Sequence, residues 1–153
     1  MMKIRNLLIL AIAFAMTSST LVYTGPDRLA NDNVEIKKLT KAEFEKLVYD
    51  PIKDGEKAIY KGKFPCIVDF YADWCGPCRR LSPVLEELAK KHEGKLIIYK
   101  VNVDEEKELA RQYGIQSIPT LFLFPKKSQP TVVKGAPAKE ALEQYVKGIL
   151  KVE

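Results

Sequence analysis

Histidine, tryptophan and cysteine are scarce in this chain of 153 residues, with one, one and three copies. Three cysteines cannot build the lattice of bridges that holds small secreted domains together, and a chain of this length buries a proper core without one. A structural zinc site asks for four ligands. Cys75 and Cys78 have no second pair, and Cys66 and His92 stand at the wrong spacing, so no metal is expected. The formal charge is +5, and setting aside Lys3 and Arg5 of the N-terminal segment leaves 23 basic against 20 acidic residues, or +3. With no basic run interleaved with aromatics, nucleic acid is not an expected partner.

A long apolar run is also missing. Residues 7–16 form an apolar stretch of ten, short of the roughly 20 residues a helix needs to span a bilayer. Preceded by Lys3 and Arg5 and followed by Thr17-Ser18-Ser19-Thr20, it has the anatomy of a secretory signal over residues 1–20. Leu21-Val22-Tyr23 offer the alternative of an uncleaved anchor, and membrane contact is expected only in that case. No cysteine follows the run, so lipid attachment has no residue to use. Residues 21–33 read as a linker and residues 34–153 as the domain. Export is expected, to the periplasm if the source is bacterial.

The chain is organised around Trp74-Cys75-Gly76-Pro77-Cys78. Two thiols separated by two residues can close a disulfide within one helical turn, and Gly-Pro between them suits a strand-to-helix junction. Cys75 at the helix N-terminus faces unpaired amides and the positive end of the macrodipole, which favour the thiolate. The expectation is an exposed, nucleophilic Cys75 and a shielded Cys78 that resolves the mixed disulfide. A Cys-x-x-Cys alone does not decide this, since half a zinc site looks the same. Its surroundings do: residues 66–72 read as a buried strand, and Leu81, Val84, Leu85 and Leu88 carry helical spacing over residues 79–91.

The motif Val68-Asp69-Phe70-Tyr71-Ala72-Asp73-Trp74-Cys75-Gly76-Pro77-Cys78 is followed by Tyr113-Gly114-Ile115-Gln116-Ser117-Ile118-Pro119-Thr120 and then by Val133-Lys134-Gly135. In this order the three resemble the thioredoxin family from about Val34 onward. The resemblance implies a thiol–disulfide oxidoreductase in which Cys75 and Cys78 form the redox disulfide. It also implies that Asp69 is general acid/base for Cys78, with Lys100 on the next strand as its tuning partner, and that the Ile118–Pro119 bond is cis. Trp74, Gly76, Pro77, Ile118, Pro119 and Gly135 then form a shallow substrate platform that pairs with extended main chain. Expected partners are protein disulfides or dithiols and a separate redox protein that resets the pair. The expected protein is a monomer that uses no cofactor.

Read from the residues alone, Asp69 is an acid in a strand apolar on both faces, so desolvation should raise its pKa. Cys66 points to the opposite face and lies ~20 Å from the strand's active end, which makes it a small buried hydrophobe. The remaining expectations follow chain order: an edge strand over 34–36; a helix opened by the capping box Thr40-Lys41-Ala42-Glu43 with Phe44, Leu47 and Val48 inward; and a surface loop with an extra helical turn over 51–64. Then come a strand over 96–103, a helix over 104–113 stopped by Gly114, strands over 120–124 and 131–134, and a helix opened by Pro137. His92 is expected to face solvent, and Pro83 to kink the 79–91 helix. The fold class is α/β, with a mixed sheet of five strands flanked by helices on both faces. Within the redox reading, Gly76-Pro77 between the cysteines resembles the reducing members of the thioredoxin family, which implies a reductant, here outside the cytoplasm. The alternatives are an oxidase or isomerase of exported proteins and a non-catalytic interaction protein of the same fold.

Overall fold

The computed structural model describes residues 36–49, 60–126 and 128–153. The expected leader and linker, and residues 51–59 of the loop expected over 51–64 with its extra turn, lie outside the described residues; residues 60–64 are not helical. Five strands form one sheet: β1 Lys37–Lys38, β2 Cys66–Tyr71, β3 Ile97–Asn102, β4 Thr120–Phe124 and β5 Thr131–Lys134. The described helices are α1 Lys41–Leu47, α2 Gly76–Lys91, α3 Lys107–Gln112 and α4 Lys139–Gly148.

The strand order is β1-β3-β2-β4-β5. β1 and β2 run parallel to β3, while β4 runs antiparallel to β2 and β5 antiparallel to β4, so the sheet is mixed, as expected. β2 lies at the centre, buried at every position, as its two-sided apolar run requires. Its alternation sorts the core. Cys66, Val68 and Phe70 face Phe44 and Leu109, and with Tyr99, Phe122 and Phe124 they make an aromatic layer under α1 and α3. Ile67 faces the other way, among Leu81, Leu85 and Leu88 of α2 and Leu142 and Val146 of α4. Each fully buried Leu or Phe of these layers contributes about 1.5–3 kcal/mol.

The capping box forms as read: the Thr40 hydroxyl accepts the Glu43 amide at 3.3 Å and the Glu43 carboxylate accepts the Thr40 amide at 3.0 Å. Gly94 and Gly114 take positive φ, 72° and 61°, just past α2 and α3, where a side chain would be strained. Pro83 lies inside α2.

Four expectations about local structure need correction. Of the strand expected over 34–36, residues 34 and 35 lie outside the described residues and Ile36 is not in a strand; the described strand is Lys37–Lys38, where the Leu39 amide bonds the Lys100 carbonyl at 2.8 Å and sets the register of Lys37 and Lys38 on β3. α3 begins at Lys107, since the Asn102 side chain accepts the Asp104 amide at 3.0 Å and holds the preceding residues in a turn. The last helix starts at Lys139, two residues after Pro137. His92, expected at the surface, is buried. The cause is tertiary: α4 packs beside the C-terminus of α2, and Glu143 lies 3.5 Å from His92 Nε2 while pairing with Lys91 at 2.6 Å.

Candidate active site

The end of β2 delivers the chain into the first turn of α2 with Cys75 as its N-cap and Pro77 in the opening turn. Cys75 and Cys78 are joined as a disulfide, with their Cα atoms 5.2 Å apart. The Cys75 sulfur also accepts the Cys78 amide at 3.2 Å, taking up one of the unpaired donors of the helix end. Both sulfur-bearing residues are buried, Cys75 at 3% exposure and Cys78 at 1%. The expected contrast between an exposed and a shielded cysteine is therefore absent in the disulfide form. The bridge draws Cys75 down against Tyr71, Ala72 and the partly buried Ile118.

Of the platform residues, Trp74 is 68% exposed, and its indole N–H donates to Asp104 Oδ2 at 2.7 Å. The Ile118–Pro119 bond is cis, and Ile118 packs on the disulfide cluster. Gly135, at φ +86°, donates its amide to the Pro119 carbonyl at 2.8 Å, which fastens β5 to the platform. Gly76 and Pro77 open the helix beside them.

Asp69 and Lys100 are register partners on β2 and β3. Lys100 Nζ stands 3.7 Å from Asp69 Oδ2, an ion-pair distance but beyond a hydrogen bond, and among the described residues neither carboxylate oxygen has a hydrogen-bond partner. Desolvation pushes the Asp69 carboxyl up to about 6, and the nearby ammonium of Lys100 opposes the rise. A cleft of about 220 Å³ joins Lys100 to the sulfur side, because Lys100, Cys78, Tyr71 and Ser82 all line it, while Asp69 lies behind Lys100 and does not line it. A roomier cleft, about 490 Å³, lies between Pro65, Pro125 and Val152 at the other end of the sheet and touches neither sulfur.

Sequence reasoning passed over three residues here. Asn102, at the end of β3, donates to Asp73 and Glu105 at 3.3 and 3.1 Å and so gathers an acidic rim beside Trp74. Lys38 reaches the same cleft from β1. Ser82 accepts from Lys100 at 2.6 Å. The last had a signal, since it follows Cys78 by four residues and must share its helix face. Cys66 lies in the aromatic layer on the far face, where burial pushes its thiol up to about 12. Among the described residues no group of three His, Cys, Asp or Glu side chains is placed to hold a metal.

A redox pair at a helix N-terminus, at the carboxyl end of a central parallel strand and beside a buried acid, defines a thiol–disulfide oxidoreductase. Comparison with known proteins agrees. The family model described as Thioredoxin matches residues 35–148. The chain is 40% identical over 109 residues to a protein named Thioredoxin from Borreliella burgdorferi, covering 71% of this chain and 92% of that one. It is 50% identical over 80 residues to Thioredoxin 1 of a Nostoc species, covering 52% of this chain and 75% of the relative, and 46% identical over 91 residues to Thioredoxin of Alicyclobacillus acidocaldarius, covering 60% and 87%. The chain belongs to the thioredoxin family. Thioredoxins as a family act on protein disulfides and are reset by a reductase partner.

Proposed function

We propose that this protein reduces disulfides of other proteins outside the cytoplasm, and the observation that carries the reading is the Cys75-Gly76-Pro77-Cys78 pair at the N-terminus of α2. Starting from the dithiol, the Cys75 thiolate attacks one sulfur of a substrate disulfide; a mixed disulfide forms and the other substrate sulfur leaves as a thiolate. Cys78 then passes its proton to Asp69, and its sulfur attacks Cys75. The Cys75–Cys78 bond forms, the second substrate sulfur is released, and two electrons have moved from this protein to its substrate. Lys100 sets how readily Asp69 accepts the proton. Trp74, Gly76, Pro77, Ile118, Pro119 and Gly135 hold the substrate segment against the sulfurs. Residues 1–20 act as the export leader or anchor, and residues 21–33 link it to the catalytic domain.

A second reading, an oxidase or isomerase, draws on the same geometry. The helix N-terminus that favours the Cys75 thiolate stabilises the dithiol, and a stabilised dithiol makes an oxidant. The equilibrium reduction potential of the pair in dithiothreitol and glutathione buffers separates the two. A value near or below about −250 mV supports the reductant, and one above about −180 mV overturns it in favour of the oxidase or isomerase.

A further inference from the structure

Lys100 is the charge partner of Asp69, yet its shortest contact is not with Asp69. Its ammonium donates to Ser82 Oγ at 2.6 Å and lies 4.2 Å from the centre of the Tyr71 ring, while Asp69 Oδ2 is 3.7 Å away. A closed ammonium–carboxylate contact would measure about 2.7–2.9 Å. The Ser82 hydroxyl has its own fixed direction, because it donates to the Cys78 carbonyl at 3.1 Å. Its lone pairs therefore point away from that carbonyl and receive Lys100. The donors run in one sense, from Lys100 N–H to Ser82 Oγ–H to the carbonyl of Cys78.

We infer that Ser82 is a positioning residue, whose hydroxyl holds the Lys100 ammonium out of direct contact with Asp69 and ties it to the helical turn that carries Cys78. The hydroxyl and the Tyr71 ring face compete with Asp69 for a cation that stands 3.7 Å from the carboxylate. Held back, Lys100 leaves Asp69 able to take up a proton. The other charged groups lining the cleft are Lys38 from β1, Asp73 after β2 and Arg79 from α2, and from β4 the register partner of Asp69 is Leu121. Lys100 is the charge that acts on Asp69. The inference rests on the reading of Asp69 as proton carrier for Cys78 only in its catalytic consequence.

The test is a carbon-13 NMR titration of the Asp69 carboxyl in the full-length disulfide form, where Cys78 does not titrate alongside it. Ser82→Ala is expected to lower the midpoint by about one pH unit as Lys100 closes on Asp69. Ser82→Thr, which keeps the hydroxyl, leaves the midpoint in place. Lys100→Met raises it, and adding Ser82→Ala to Lys100→Met changes nothing further. An unmoved or raised midpoint in Ser82→Ala, or an equal shift without Lys100, overturns the inference. The pH profile for release of the mixed disulfide by Cys78 is read on the same variants. A carboxyl midpoint that moves while that profile stays fixed upholds Ser82 as the positioning residue and removes Asp69 from the proton transfer.

Discussion

Asp69→Asn exposes the electrostatics of the site through stability. The carboxyl is fully buried, and its protonation rises from 3.8 to about 6, chiefly by desolvation and against the pull of Lys100. Below the unfolded value both states hold the proton, and ionisation adds no cost. Between 3.8 and about 6 the folded chain keeps a proton that the unfolded chain releases, so stability falls as pH rises. Above that window the deficit is complete, and at about 1.4 kcal/mol per pH unit it comes to about 3 kcal/mol. Asparagine has no proton to lose, so the pH-dependent part of the difference between variant and parent traces this deficit, on top of a constant offset from burying the amide. Urea unfolding of the two disulfide forms, stepped from about pH 4 to about pH 8, should show the variant gaining on the parent as pH rises, by about 3 kcal/mol before it levels off, on the order of 10 °C in Tm. A difference that is constant across the range would refute the reasoning. So would a difference that moves against the variant as pH rises, which would mean that attraction to Lys100 outweighs desolvation.

The two sulfurs should separate by substitution: Cys78→Ser abolishes turnover and accumulates a mixed disulfide with a protein substrate through Cys75, visible on a non-reducing gel, whereas Cys75→Ser abolishes turnover with no adduct. Accumulation in the second variant would reverse the assigned roles. Cys66→Ala should cost about 1–2 kcal/mol in denaturant unfolding, as a small buried group lost from the aromatic layer. The same variant should leave the reduction potential unchanged, and in the parent Cys66 should resist alkylation at about pH 8 until the chain unfolds.

Features set by near neighbours in the chain were legible in the sequence. The Thr40 to Glu43 capping box, the two-sided apolar run of β2, and the alternation that separates Cys66 from Asp69 each need only a few residues of context. β4 and β5 also fall where the sequence placed them. Misplaced features depend on distant partners. His92 looked like an ordinary helix-terminal cation, and only the packing of α4 makes it interior. Cys75 looked exposed because the motif does not show that the closed bridge packs against Tyr71 and Ile118. The Lys100–Ser82 bond joins residues 18 apart on a strand and a helix, and no local pattern announces it.

β2 explains how one short segment carries both the core and the chemistry. On one face it places Cys66, Val68 and Phe70 in an aromatic layer where Phe70 meets Phe122 at 5.3 Å and Phe44 meets Tyr113 at 5.0 Å. On the other it places Ile67 in the aliphatic layer, then Asp69, then Tyr71 against the disulfide. A buried acid weakens any fold that holds it ionised. Here its strand is clamped by β3 on one side and β4 on the other, with Asp69 inside both ladders, paired with Lys100 and with Leu121. Local relaxation toward water would therefore break pairing across the centre of the sheet, and the carboxyl stays desolvated. The stability of the aromatic layer thus keeps Asp69 in an environment where it can hold a proton near neutral pH. A change that loosened β2 should lower that proton affinity before it unfolded the domain.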